Sequence, residues 1–323
     1  FDSYFEMLGA ADQPDDIQAV VPFCGPADLE HGDMAYDWFF GRYIYEVDFV
    51  THRTPWGIDE ETASLRYGPD GRPILKIDYA AGETAYNYYS DYAKLFVDDY
   101  LKKVLHMTEK EYVGLCMKYL IPACRRYIQT HQSKREEQFY YFDNYSDYLA
   151  EYGVNDPYYN SSVYPCEGYI NFDLFRAFNA KVAFKPSPAF DQLKKVAMPK
   201  YENALFGTEK TGVCNFTEYG AAHSDLGLSK LPEDVVQRVR DQNPLSYIGD
   251  GESLCCRHWL IPHGSADGDI ALCQTIDLVD ALKKNGIHDV TFDIIWNGGH
   301  SCGMVTPSKK EMLRWAEKAF EID

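Results

Sequence analysis

The sequence lacks any apolar run that approaches the roughly 18 residues needed to cross a membrane. It is also poor in positive charge, since 31 Lys and Arg residues stand against 50 Asp and Glu residues, for a formal net charge of −19. Nucleic-acid backbones bind basic surfaces, so this balance argues against them as partners. We therefore expect neither a membrane nor a nucleic acid as a partner.

The sequence also lacks cysteine spacings typical of a zinc site or of a disulfide framework. The count is odd, no two cysteines have the C-x-x-C spacing of a zinc site, and the positions are scattered: Cys24, Cys116, Cys124, Cys166, Cys214, Cys255, Cys256, Cys273 and Cys302. Reduced, mostly buried thiols explain this pattern better than a disulfide framework does. We predict a cytoplasmic protein, with secretion as the alternative, and we expect no metal and no cofactor.

What the sequence does contain is a regular alternation of elements near its end. Apolar runs at 257–263 and 289–296 read as buried strands, and each is followed by a segment with helical periodicity, at 270–285 and 308–320. Apolar residues of the first helix share one face, and they are Leu272, Ile276, Val279 and Leu282. The pattern βαβα predicts part of an α/β domain with a parallel sheet.

A third buried strand is predicted at 17–24, before the turn at Gly25 and Pro26. Between it and 257–263 the chain is mainly helical and loop-rich, with one helical stretch at 85–130 that we expect Pro122 to interrupt. The economical interpretation is a lid inserted on the catalytic side of the sheet. We predict core residues 1–27, an inserted lid or substrate-binding domain over 28–244, and core again over 245–323.

Two polar residues follow the last two predicted strands. Asp267 lies in a glycine-rich turn after the first, and His300 follows Gly298-Gly299 after the second. Ligands and catalytic groups gather at the carboxyl ends of parallel strands, so these positions suit an acid and a base. Their order is that of the last two members of a Ser…Asp…His triad. Asp269 either caps the helix before Ile270 or points at substrate.

The segment Gly299-His300-Ser301-Cys302-Gly303 also fits the G-x-S-x-G pattern of a nucleophile elbow. An elbow serine needs an acid and a histidine later in the chain, and no histidine follows Ser301. We therefore interpret this match as accidental.

Several unusual motifs, in one order along nearly the whole chain, carry a family resemblance. They are Asp15-Asp16-Ile17, Cys24 to Trp38, Lys185 with Pro188-Ala189-Phe190-Asp191, Glu202-Asn203-Ala204-Leu205-Phe206-Gly207, Asn243 to Ile248, and His258-Trp259 with His263 to Asp269. In these motifs the chain resembles bacterial tannases and related subtype B feruloyl esterases, in the segment that follows the nucleophile elbow.

The resemblance implies an α/β-hydrolase fold with a large lid, and an activity that cleaves galloyl or related phenolic acid esters. It implies that Asp267 and His300 are the triad acid and base. It also implies that Lys185, Glu202 and Asp269 hydrogen-bond the phenolic hydroxyls of the substrate. The nucleophilic serine would lie on an upstream, N-terminal segment of the same polypeptide.

Two alternatives stay open at this point. One is a general carboxylesterase or acyl-peptide hydrolase that uses the same acid and base. The other is a non-catalytic binding protein that kept the fold and lost the serine. From composition alone, Lys185 and Glu202 would be solvated charges.

Overall fold

A computed structural model describes residues 17–41, 53–54, 57–58, 64–67, 73–76, 92–131, 172, 175–176, 179, 185, 188–193, 200–207, 212–296, 298–301 and 307–320. Some side chains near the end of the long helix at 109–131 are outside this description. The motif residues Asp15 and Asp16 lie outside the described residues.

A three-stranded parallel sheet organises the described core. Its strands are β1 (Ala19–Val20), β6 (His258–Gly264) and β7 (Asp289–Ile295), in the order β1-β6-β7. Ala19 pairs with His258, and β6 and β7 pair from His258 with Asp289 to Gly264 with Ile295. The predicted strands are therefore present, adjacent and parallel, and β6 and β7 end side by side.

The first strand is shorter than the predicted 17–24. Pro22 has no backbone N–H with which to continue the ladder of hydrogen bonds. Cys24 has a left-handed backbone, with φ of 47°, which is not a strand conformation. The early end of β1 also explains how a proline fits inside β6. His258 N–H donates to Gln18 O, so alternate residues of β6 face β1, and Pro262 faces the region beyond the last paired residue of β1.

The two helices that follow the strands agree with their predicted spans. The one after β6 runs over Leu272–Lys284 and buries the predicted apolar face, and Gly286 lies beyond its end with φ of +83°. The final helix runs over Lys309–Ala319. Ser308 caps it, since its hydroxyl accepts from Glu311 N–H while the Glu311 carboxylate accepts from Ser308 N–H.

Between β1 and β6, the described chain is mainly helical. It contains α1 (Gly32–Tyr36), a π-helical turn at Asp37–Gly41, a π-helix at Phe96–Val104, α2 (Glu109–His131), α3 (Tyr201–Leu205), α4 (Glu218–His223), α5 (Glu233–Asp241) and a 3₁₀ turn at Pro244–Ser246. The helices after β6 and β7 are then α6 and α7. Two short antiparallel pairs also occur, β2 (Arg53–Thr54) with β3 (Gly57–Ile58), and β4 (Ser64–Tyr67) with β5 (Pro73–Lys76).

One local prediction in this region is wrong, because α2 continues through Pro122. Leu120 and Ala123 on either side are buried in the hydrophobic core, whereas Pro122 faces solvent. Packing of the neighbouring turn therefore holds the helix together where proline weakens it.

Aromatic side chains join this helical region to the sheet. Trp38 stacks on Phe96 at 5.0 Å between ring centroids and meets Tyr112 edge-on at 5.3 Å. Tyr112 also reaches α6, where its hydroxyl donates to Asp277 Oδ1 at 2.7 Å. The first π-helical turn, the second π-helix, α2 and α6 thus share one core. Among the described helices, none combines the length and the apolarity that crossing a membrane requires.

Candidate active site

Asp267 and His300 meet at the carboxyl edge of the sheet. His300 Nδ1 lies 3.0 Å from Asp267 Oδ2 and 3.1 Å from Oδ1. The Asp267 side chain is fully buried, whereas that of His300 is 41% exposed. A buried acid therefore contacts one nitrogen of an imidazole that is itself partly exposed.

Two turns place these side chains, and they are bonded to each other. Ser265 N–H donates to Ile295 O, and Ala266 N–H donates to Gly298 O. The approach is so close that a Cβ on Gly264 would stand 2.1 Å from Gly298 O. Glycine at 264 therefore allows the turn after β6 to pack against the turn after β7.

Asp267, not Asp269, organises the start of the next helix. Its Oδ1 accepts from Asp269 N–H at 2.8 Å and from Ile270 N–H at 3.1 Å. The cap residue of α6 is Ala271, so the interpretation of Asp269 as a cap before Ile270 is wrong. The carboxylate of Asp269 instead faces Lys185 and His300.

The pair is electrostatically suited to proton transfer. Burial would raise the pKa of Asp267, but the hydrogen bond from His300, the neighbouring His263 and the backbone amide of Ile270 together hold that pKa below its usual value. The hydrogen bond to Asp267 raises the pKa of His300 above its usual value, although burial opposes the shift. A carboxylate that stays charged thus stabilises an imidazole that gains a proton.

Two residues near the acid were not singled out by sequence reasoning. His263, in β6, is fully buried, with Nδ1 at 2.9 Å from Thr275 Oγ1 and Nε2 at 3.5 Å from Asp267 Oδ2. Burial lowers the pKa of its imidazole. Cys24 lies beyond the end of β1, and its Sγ approaches Pro262 O at 3.9 Å. Their positions at strand ends are the only sequence signal that could have found them.

Lys185 joins the site from the region between β1 and β6. Its Nζ lies 3.5 Å from Asp269 Oδ1 and 4.3 Å from the centroid of the Phe190 ring. Asp269 Oδ2 is in turn 3.9 Å from His300 Nδ1. The structure thus brings Lys185, Asp269, Asp267 and His300 into one continuous cluster.

A tyrosine connects the backbone on both sides of this cluster. Lys185 N–H donates to the Tyr36 hydroxyl at 3.3 Å, and that hydroxyl donates to Gly268 O at 2.7 Å. The position of Lys185 is therefore tied to the turn that carries Asp267 and Asp269.

Glu202 lies at the start of α3, outside the cluster formed by Lys185, Asp269, Asp267 and His300. Among the described residues, no hydrogen bond or ion pair links it to Lys185, Asp269 or His300. Its charge acts on Lys200, whose pKa is lowered to about 8 mainly by burial, while Asp33 and Glu202 oppose the shift and Lys185 adds to it. The structure thus places Glu202 beside Lys200, and Lys200 within electrostatic range of Lys185.

A buried carboxylate supports the helix that carries Glu202. Asp191 Oδ1 accepts from Asn203 Nδ2 at 2.8 Å and from Asn215 Nδ2 at 2.7 Å, and its Oδ2 accepts from the Thr217 hydroxyl at 2.6 Å. Asp33 on α1 accepts from the backbone N–H of Asp191 at 3.0 Å. This network fixes the start of α3 against α1 and α4.

Comparison with known proteins identifies the fold. No protein-family model and no curated protein matches the chain. Solved structures do match, among them tannin acyl hydrolase from Lactobacillus plantarum (TM-score 0.67, 22% identity, 98% of this chain and 60% of that one). A tannase from Fusobacterium nucleatum matches with a TM-score of 0.64 at 21% identity, over 98% of this chain and 62% of that one. A tannin acyl hydrolase in complex with ethyl gallate matches with a TM-score of 0.66 at 21% identity, over 98% and 59%.

These matches confirm the resemblance to bacterial tannases that the motifs predict. At this level of identity the likeness establishes the fold, which agrees with the predicted α/β-hydrolase class with its parallel sheet. The chain spans about 60% of the length of the tannase structures that it matches. The inserted lid and the predicted domain limits stay predictions.

Proposed function

We propose that this chain is part of a serine-type ester hydrolase that cleaves galloyl or related phenolic acid esters. The observation that carries the proposal is the pairing of His300 with Asp267 at the carboxyl edge of a parallel sheet, in a fold shared with tannases. That edge is where α/β proteins place their active sites. No cofactor is needed for this chemistry.

In the proposed mechanism His300 acts as the general base. Its Nδ1 faces Asp267, so its Nε2 takes the proton from a serine hydroxyl as the serine oxygen attacks the ester carbonyl. Asp267 stabilises the imidazolium that results. His300 then protonates the leaving alcohol. Water next attacks the acyl-enzyme, with His300 again as the general base, and the acid is released as the serine is regenerated.

We propose that the nucleophilic serine belongs to a part of the polypeptide outside these 323 residues. Two observations support this. The chain corresponds to about 60% of the length of the matched tannases. Ser301, the serine next to His300, cannot precede the acid and base in the required chain order.

Lys185 and Asp269 are the proposed contacts for the phenolic ring of the substrate, together with Glu202. Carboxylates accept hydrogen bonds from phenol O–H groups, and an ammonium donates to phenolic oxygen. The pair lies next to His300, with 3.9 Å between Asp269 Oδ2 and His300 Nδ1. A matched tannin acyl hydrolase binds ethyl gallate, which carries such a ring.

We further propose that residues 28–244 form a lid over a core made of 1–27 and 245–323. Lys185 from the proposed lid faces Asp269 of the core, and Tyr36 bonds to backbone atoms of both parts. The substrate would then lie between the core turns and the lid.

The decisive experiment is labelling of the full-length natural protein with a fluorophosphonate, which reacts with activated serines. We expect stoichiometric labelling, with rates reduced roughly 100-fold or more in His300→Ala and Asp267→Asn because the base or its orienting acid is lost. His288→Ala, a histidine outside the site, is the matched control and should label normally. No labelling of a folded protein would refute the serine mechanism and leave a binding protein.

Substrate class is tested separately with the same preparations. A tannase-like enzyme should hydrolyse an alkyl gallate much faster than the corresponding alkyl benzoate. Equal rates on both esters would instead indicate a general carboxylesterase.

A further inference from the structure

A second set of ligand atoms converges behind the acid–base pair. Cys24, His263 and Asp267 each offer one such atom, and the three atoms lie within 4.8 Å of one another. Cys24 is 4% exposed, His263 0% and Asp267 2%. Thiolate, imidazole and carboxylate are the ligand types that Zn²⁺ takes in proteins. The three residues come from the segment that follows β1, from β6 and from the turn after β6.

The nitrogen of His263 that faces this cluster is the most informative atom. His263 Nε2 is buried and has no hydrogen-bond partner among the described residues, which is unusual for a buried polar atom. It lies 3.5 Å from Asp267 Oδ2. With Zn–N and Zn–O bonds of roughly 2.1 Å at tetrahedral angles, two ligand atoms stand about 3.4 Å apart. The spacing therefore suits two ligands of one ion.

The other ring nitrogen of His263 already has a hydrogen-bond partner, as is usual for a histidine that binds a metal. His263 Nδ1 lies 2.9 Å from the Thr275 hydroxyl on α6. Metal-binding imidazoles almost always have their second nitrogen held in this way, which fixes the ring orientation.

The backbone directs Cys24 toward the same point. Its φ of 47° is left-handed, a conformation that non-glycine residues adopt uncommonly. In that conformation Cys24 Sγ meets Pro262 O at 3.9 Å, beside His263. This contact is possible because β1 stops pairing before it reaches Pro262.

We propose that Cys24, His263 and Asp267 bind one zinc ion, and that bound zinc inhibits ester hydrolysis. Binding releases the thiol proton to solvent, and water fills the fourth position. A thiolate and an imidazole favour zinc over magnesium or calcium. Asp267 then shares its charge with the metal and no longer orients His300. The inhibitory part rests on the proposed function, whereas the binding part does not.

Binding is tested by titrating Zn²⁺ into the reduced full-length protein in competition with a chromophoric chelator. We expect one ion per chain, bound at least about 10-fold more weakly by Cys24→Ser and by His263→Gln. Cobalt in place of zinc should give a thiolate charge-transfer band that Cys24→Ser removes. Cys256→Ser, which removes a thiol outside the cluster, should bind zinc like the parent.

The variant His300→Ala separates the proposed site from a neighbouring set of possible ligands, Asp267, Asp269 and His300. We expect this variant to keep its zinc. Loss of zinc in His300→Ala but not in Cys24→Ser would overturn the assignment, and so would the absence of stoichiometric binding by the parent. If His263→Gln fails to fold, Cys24→Ser decides the question, because serine differs from cysteine by one atom.

Inhibition is measured on the same samples with an activated ester. We expect zinc to inhibit in proportion to occupancy, a chelator to restore the activity, and Cys24→Ser to need at least about 10-fold more zinc. Zinc that binds at Cys24 without inhibiting would refute the inhibitory role. A protein that binds zinc in this way but hydrolyses no ester would refute the proposed function and leave the metal site intact.

Discussion

At the scale of single residues, the candidate site depends on charges that face one another across two segments of the chain. Lys185 and Asp269 lie 84 positions apart in the sequence, and their side chains are both about one-fifth exposed. Charges that are partly shielded from water interact more strongly than fully solvated charges do.

Replacing Lys185 with Met should impair recognition of phenolic esters selectively. The ammonium would no longer donate to a phenolic oxygen, and a lost charged hydrogen bond corresponds to roughly a 10- to 100-fold decrease in kcat/KM for an alkyl gallate. Hydrolysis of an alkyl benzoate should change less than about 3-fold. Lys103→Met, at a lysine that is 72% exposed, is the control. Equal losses on both esters would contradict a role in recognising hydroxyl groups.

Gly264 should tolerate no side chain, although the neighbouring Gly299 should. A Cβ at 264 would lie 2.1 Å from Gly298 O, whereas a Cβ at 299 meets nothing within 4 Å among the described residues. Gly264→Ala should therefore lower the free energy of unfolding by about 1–3 kcal/mol and move the turn that holds Asp267. Urea unfolding and fluorophosphonate labelling of both variants check this. The turn packing would be incorrect if both behaved alike.

Sequence reasoning reached some of these residues and not others, for physical reasons. Asp267 and His300 could be predicted to meet because parallel strands end at one edge. Asp269 was assigned partly to capping because the start of α6 shifts by two residues, which a sequence cannot fix. His263 and Cys24 read as ordinary buried residues, since only the early end of β1 brings them together.

At the scale of elements, α6 contains a carboxyl group that the mechanism does not use. Asp277 is buried, and burial raises its pKa to about 7, although hydrogen bonds from Tyr112 and Tyr100 oppose the shift. In the unfolded chain an aspartate titrates near 3.9. The folded state therefore binds more protons than the unfolded state between about pH 4 and pH 7, and Asp277 makes the protein less stable as the pH rises through that range.

Replacing Asp277 with Asn should remove this part of the pH dependence. We expect the stability of Asp277→Asn, relative to the parent, to be more favourable at pH 8 than at pH 5. Tyr112→Phe should have the opposite effect and steepen the decline, because it removes a donor to the carboxylate. Urea unfolding at both pH values measures this. Asp33, whose pKa burial also raises to about 7, leaves a residual slope in all variants. An unchanged slope in Asp277→Asn would show that the carboxyl group ionises normally.

The elements themselves were predictable where periodicity was strong. Strands β6 and β7 and helices α6 and α7 have regular apolar patterns, and their predicted spans agree with the structure within about two residues. The helical region was harder, because aromatic packing overrides local signals there. Trp38, Phe96 and Tyr112 lie in the two π-helical segments and in α2, and their contacts bridge distant parts of the chain. Pro122 lies inside α2 between Leu120 and Ala123, which are buried in the same core.

At the scale of the whole molecule, the proposed function depends on how the region between β1 and β6 is held against the turn that follows β6. Tyr36 carries the most direct connection, because its hydroxyl bonds to Lys185 N–H and to Gly268 O. In both bonds the partner of the hydroxyl is a backbone atom, so the bonds position the main chain at Lys185 and at Gly268. Neither bond could be inferred from the sequence, since Tyr36 and Gly268 are 232 positions apart.

Replacing Tyr36 with Phe should therefore loosen the proposed lid without removing a substrate contact. The loss of a buried hydroxyl that bonds twice should lower the free energy of unfolding by about 1–3 kcal/mol. Lys185 would be less well fixed against Asp269, so KM for an alkyl gallate should rise severalfold. Labelling by a small fluorophosphonate should continue, because Asp267 and His300 are positioned by their own turns. Tyr201→Phe, at a tyrosine that is 77% exposed, is the matched control. If Tyr36→Phe slowed labelling as much as it weakened gallate binding, the region would be part of the catalytic framework and not a separable lid.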